Sequence, residues 1–138
     1  MPRLFALAVA LLFALPAAAQ NFPTKPLRLI CPFPPAGAVD IASRATANEL
    51  SKILGHPVAV ENKPGAGGNL GGAEAARSAP DGYTLFMSTS GIQAINPALY
   101  AKMPLDPNKE LTPVAPLVSL SNVLVVHPSV PEIGRAHV

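Results

Sequence analysis

An α/β fold with a parallel βαβαβ core is what this sequence predicts, and three observations carry it. Short apolar runs rich in strand formers recur at residues 27–31, 58–60 and 84–87. Stretches of helical length with apolar periodicity or small residues separate them. Pro, Gly and Asn clusters punctuate the joints. Strands alternating with helices give a parallel sheet joined by right-handed crossovers.

The first strand, LRLIC, is bounded by Pro26 and Pro32. Apolar residues then recur at Val39, Ile41, Ala42, Ala45, Leu50, Ile53 and Leu54, one face of a helix that Gly55 ends. His56-Pro57 restarts the chain into the second strand. The Gly-rich NKPGAGGN, residues 62–69, turns into a small-residue helix at about 70–77. Pro80-Asp81-Gly82 is a turn before the third strand, after which a hydroxyl-rich loop enters a further helix. Residues 104–116 read as loop, and residues 123–126 as one more apolar strand.

The first nineteen residues have another purpose. Arg3 precedes an uninterrupted apolar run over residues 4–15, Pro16 breaks it, and Ala17-Ala18-Ala19 is a small-x-small cleavage pattern. The run is short for a permanent span, so a signal peptide cleaved after Ala19 and export to the periplasm are expected. Beyond Arg3, nine Lys/Arg face eight Asp/Glu, and no basic block suggests nucleic acid. Cys31 is alone and expected to be a small buried hydrophobe. His56, His127 and His137 are scattered without ligand spacing, and no Walker loop or zinc pattern appears, so no cofactor or metal is expected.

Two loops carry the functional signal. In KPLRLICPFPPAGAVD, residues 25–40, a strand runs through a Pro/Gly loop straight into a helix. That order aims free helix N–H groups above the strand end, a generic anion site for a carboxylate or phosphate. Phe33, Pro35, Ala36, Gly37, Ala38 and Asp40 are its candidate residues. Gly37 is free to take positive φ, and Asp40 is placed to cap the helix, although its charge would oppose an anionic ligand. YTLFMSTSGIQAINP, residues 83–97, repeats the plan with Ser88, Thr89, Ser90, Gly91, Gln93 and Asn96. An ordinary strand-to-helix turn with a Ser/Thr cap is the plain alternative for both. The third loop lacks the last glycine of a dinucleotide fingerprint, since Leu70 stands there, and Ser90 sits in no G-x-S-x-G elbow.

KPLRLICPFPPAGAVDIASR, PVAVENKPGAGGNLGGAEAARSAPDGYTLFMSTSG, INPALY and NVLVVHPSVP together resemble the substrate-binding proteins of tripartite tricarboxylate transporters, the Bug family of periplasmic receptors. The resemblance covers residues 23–131. It implies the N-terminal lobe of a two-lobed, hinge-closing, monomeric receptor that passes small carboxylates to membrane permease subunits. It further implies that segments 33–40 and 88–96 cradle the ligand's proximal carboxylate through backbone groups and ordered water. The family commonly has Gly-Gly where Ala36-Gly37 stands, which bears on how closely backbone approaches ligand. Members are more than twice as long as this chain.

Beyond the signal peptide (1–19), the resemblance divides the chain into a first lobe (20–118) and a crossover toward a second, largely missing lobe (119–132). The tail IGRAHV, residues 133–138, resembles a translated sequencing adapter and is expected to be read-through, a real frameshift or a degraded gene being the alternative. The competing function is an exported α/β enzyme whose catalytic residues lie in the missing half.

Overall fold

The structure, a computed structural model, describes residues 22–121, 123, 125 and 127–129. The expected leader, the tail from residue 130 and half of the 123–126 strand lie outside these. Val123 and Val125 themselves are exposed and in no strand.

β1 (Leu27–Cys31) lies at the centre of a three-stranded parallel sheet of order β2-β1-β3. β2 is Val58–Asn62 and β3 is Thr84–Phe86. β1 is buried at four of its five positions because neighbours cover both edges and helices both faces. Leu29 pairs with Val60 on one side and Leu85 on the other. Both crossovers are helical, α1 (Ala38–Leu54) between β1 and β2, and α2 (Asn69–Ala76) between β2 and β3. Leu29 packs with Ala47 of α1 and Met87, flanked by Val39, Val58, Val60 and Leu85. On the opposite face Arg28 reaches Glu74 of α2 at 2.9 Å and holds Glu61 bidentately at 2.8 Å. Helices therefore cover both faces, the doubly wound arrangement that the alternating pattern implies.

Several boundaries move in instructive ways. Gly55 ends α1 as expected, in the left-handed conformation at φ 69°, where it costs least. β2 runs on to Asn62, whose side chain gains partners described below. Within the 104–116 loop, Asp106 caps a single helical turn, α4 (Pro107–Glu110). It follows α3 (Asn96–Leu99), which continues a π-pitched segment, Gly91–Ile95.

The buried face of α1 differs from the expected apolar stripe. Asp40, Ser43 and Ala47 point inward, while Ile41 and Ile53 are 62% and 77% exposed. Ser43 satisfies its hydroxyl on the Val39 carbonyl at 2.7 Å, so a polar residue packs there without cost in hydrogen bonding.

Two substitutions separate the true core from the apparent one. Ile30→Ala, at a fully buried position, should lower the unfolding free energy by about 2–5 kcal/mol in urea titrations. Ile41→Ala should change it by less than about 0.5 kcal/mol.

Candidate functional site

The chain leaves β1 to one side through α1 and returns to the other side at β3. The carboxyl ends of β1 and β3 thus flank a topological switch point, where open α/β sheets leave a crevice for ligands. Both sequence-predicted loops emerge there, and the Gly-rich third loop joins them.

In the first loop, Pro34, Pro35, Ala36, Gly37 and Ala38 are exposed. The first ladder bond of α1 runs from Ile41 N–H to Gly37 O, so the N–H groups of Ala38, Val39 and Asp40 precede the ladder. No side chain caps this terminus. Seventeen residues of aligned peptide dipole therefore end on uncapped donors at the crevice. The left-handed residue of the loop is Ala36, at φ 66°, rather than Gly37, which is extended at φ −77°. An alanine there carries about 1–2 kcal/mol of steric cost, which a glycine at this position would avoid.

Asp40 does not cap its helix. It is 2% exposed and turned inward. One carboxylate oxygen accepts from Ala36 N–H and Arg44 Nε, both at 2.9 Å, and the other from Asn62 Nδ2 at 2.8 Å. Arg44, then Asn62, then the Ala36 amide hold its carboxyl down at about 2. Arg44 balances the Asp40 charge beneath the loop, which reduces the expected repulsion of an anionic ligand. The Phe33 carbonyl is likewise occupied, accepting from Asn62 at 2.9 Å.

In the second loop Thr89 is the effective cap, its hydroxyl accepting from Ile92 N–H at 3.4 Å and its carbonyl from Gln93 N–H at 3.0 Å. Gln93 donates to Ser88 Oγ at 3.0 Å, and Ser90 is exposed at the rim, with Gly91 behind it. Asn96 is buried. It donates to Gly67 O at 3.1 Å and to Asn69 Oδ1 at 2.8 Å, and so acts as a strut rather than a rim group.

The third loop was assigned no binding role by its sequence, yet it wedges the other two together. Gly68, at φ 92°, lies so close that an added Cβ would stand 2.6 Å from Ile92 Cδ1 and 3.2 Å from Pro32 Cβ. Asn69 is fully buried, and its Nδ2 has no partner, the one such side-chain atom among the described residues. An orphaned donor of this kind costs about 1–3 kcal/mol. Asn62 and Asn69 carried a faint sequence signal, each an amide closing or opening an element in the Gly-rich segment. Cys31 is buried, its thiol 3.7 Å from Phe33 O. A separate open concavity of about 420 Å³, lined by Pro97, Tyr100, Met103 and Leu105 among others, shares no residue with either loop rim. Among the described residues no His/Cys/Asp/Glu group could hold a metal, and no helix is long and apolar enough to cross a membrane.

The lobe is doubly wound and sets the uncapped N-terminus of α1 at its switch point, the arrangement of a ligand-binding α/β lobe. Sequence and structural comparisons agree with that class. The sequence model of the tripartite tricarboxylate transporter family receptor matches residues 42–134, ending inside the IGRAHV tail. BugT of Bordetella pertussis is 40% identical over 116 residues, 83% of this chain and 36% of that protein. MatC from Rhodopseudomonas palustris, solved with bound malate, is 38% identical with a TM-score of 0.67, over 70% of this chain and 33% of its own. A second R. palustris protein, solved with adipate, is 34% identical with a TM-score of 0.61, over 63% and 29%. The chain belongs to the tripartite tricarboxylate transporter receptor family, a family of receptors rather than enzymes. It spans about a third of the length of the relatives it matches.

Two outcomes check this geometry. Ala36→Gly should stabilise the lobe by about 0.5–1 kcal/mol, a rise of several degrees in Tm by calorimetry. Asp40 is ionised in both states above its ordinary value of 3.8, so its contribution is complete there. As pH falls from there toward about 2, the unfolded chain binds the proton first and that contribution is lost. Unfolding free energy measured across this window should fall more steeply in wild type than in Asp40→Asn.

Proposed function

We infer that the whole protein is an exported periplasmic receptor that captures a small carboxylate for the permease of a tripartite tricarboxylate-type transporter. The observation that carries this reading is the uncapped N-terminus of α1 at the switch point, with its would-be cap, Asp40, turned inward and neutralised. A carboxylate placed there meets the N–H groups of Ala38 and Val39 from one loop and those around Ser90 and Gly91 from the other. Pro35, Ala36 and Gly37 present backbone rather than charge, so ordered water completes the contacts. Thr89, Ser88 and Gln93 stiffen the second rim, and Phe33 and Asn96 anchor the loops from behind.

Malate and adipate, found in the two related structures, fit this class of ligand. Cleavage after Ala19 releases a monomeric receptor, and its second lobe, joined through residues 119–132, closes over the ligand's distal end. Closure excludes water and reports occupancy to the permease. One lobe alone leaves a carboxylate largely hydrated, so this chain binds weakly or not at all.

Thermal denaturation of the whole receptor with malate, adipate and their neutral diamides is the test. A ligand at a hundred times its Kd adds about 2.7 kcal/mol, several degrees of Tm. Stabilisation by a dicarboxylate and none by its diamide is expected. Equal stabilisation by both, or none by any small carboxylate, contradicts the reading.

A further inference from the structure

We propose that Asn62 is a positioning residue of the ligand site, which keeps Asp40 from capping its own helix and so leaves the α1 N–H groups open for the ligand. The inference rests on the carboxylate-receptor reading above and adds to it a residue that touches no ligand.

The geometry is specific. From the end of β2, the Asn62 amide donates to Asp40 Oδ1 at 2.8 Å and to Phe33 O at 2.9 Å, and its oxygen accepts from Arg44 Nη2 at 3.2 Å. A single side chain thus grips the entry of the first loop, the first turn of α1 and the cation that balances Asp40. Between the two grips lies Ala36, in a backbone conformation that alanine disfavours, with its own N–H tied to Asp40.

An aspartate in a first helical turn is drawn to the helix's own free donors, both as a hydrogen-bond acceptor and as a charge on the dipole. Released from Asn62, Asp40 has that alternative beside it. Taking it would fill the anion site with the protein's own carboxylate and free the strained loop to relax. Holding Asp40 inward costs no unpaired charge, because Arg44 and the Ala36 amide complete its contacts. The other groups facing this cluster are Cys31 of β1, whose thiol lies toward Phe33 O, and Arg44 of α1.

The test compares wild type, Asn62→Ala and Asn62→Asp in the whole receptor, by calorimetric titration with malate and adipate at pH 7.5 and pH 5. Affinities are taken as the variant-to-wild-type ratio at each pH, which cancels protonation of the ligand. Exchange of the Ala36 amide is followed in parallel. Loss of a part-buried hydrogen bond to a charged partner predicts about tenfold weakening at pH 7.5 for both variants. It also predicts faster Ala36 exchange. Two carboxylates in contact share a proton on acidification, so Asn62→Asp should regain part of its affinity at pH 5 while Asn62→Ala does not. A general loss of stability has no reason to produce that split.

Ratios within twofold of unity at pH 7.5, or a deficit of Asn62→Asp that is equal at both pH values, overturn the proposal. If wild type binds neither dicarboxylate, the receptor reading has failed instead. Ala36 exchange then decides the clamp alone, and unchanged protection in Asn62→Ala overturns it.

Discussion

A helix can offer its N-terminus to a ligand only if nothing of its own occupies it, and at the proposed site that constraint falls on Asp40. Asp40 sits in the first turn of α1, within reach of its free N–H groups, yet Arg44, Asn62 and the Ala36 amide take its carboxylate inward. Each of those partners depends on a different part of the fold. Arg44 lies one turn further along α1, Asn62 ends the strand beside β1, and Ala36 is set by the proline-rich loop. The register that brings Cys31 opposite Asn62 is therefore as much a part of the site as the loop itself.

The third loop shows the same dependence from the other side. Gly67 and Gly68 bring backbone against Asn96, Ile92 and Pro32 where a side chain would intrude. Asn96 then ties that loop to the helix that follows β3. The two rims are held together by packing and amide hydrogen bonds, while the Asp40–Arg44 ion pair lies under the first rim alone. The Arg28–Glu61–Glu74 cluster lies on the α2 face of the sheet, half-exposed and away from the crevice, and links helix to sheet.

How much of this was legible in the sequence follows from which signals are local. Pro26 and Pro32 delimit β1, and Gly55 ends α1, because backbone chemistry at those residues acts without help from distant parts of the chain. The strand-to-helix turns after β1 and β3 were legible for the same reason. The inward face of α1 was not. Ile41 and Ile53 fit an apolar stripe in one dimension, but the sheet selects the face carrying Asp40, Ser43 and Ala47, whose polar groups are satisfied only in the folded chain. Asn62 was hidden likewise, since its partners are 22 and 29 residues away in sequence.

In the proposed site, backbone donors at the switch point, rather than a charged side chain, receive the ligand. The most direct measurement is the amide nitrogen–proton spectrum of the isotopically labelled receptor during addition of malate. The largest shifts are expected at the amides of residues 37–39 and 89–91, with the Arg28 and Arg44 guanidinium signals nearly unmoved. Dominant shifts at an arginine or lysine side chain, with those amides unchanged, would contradict it.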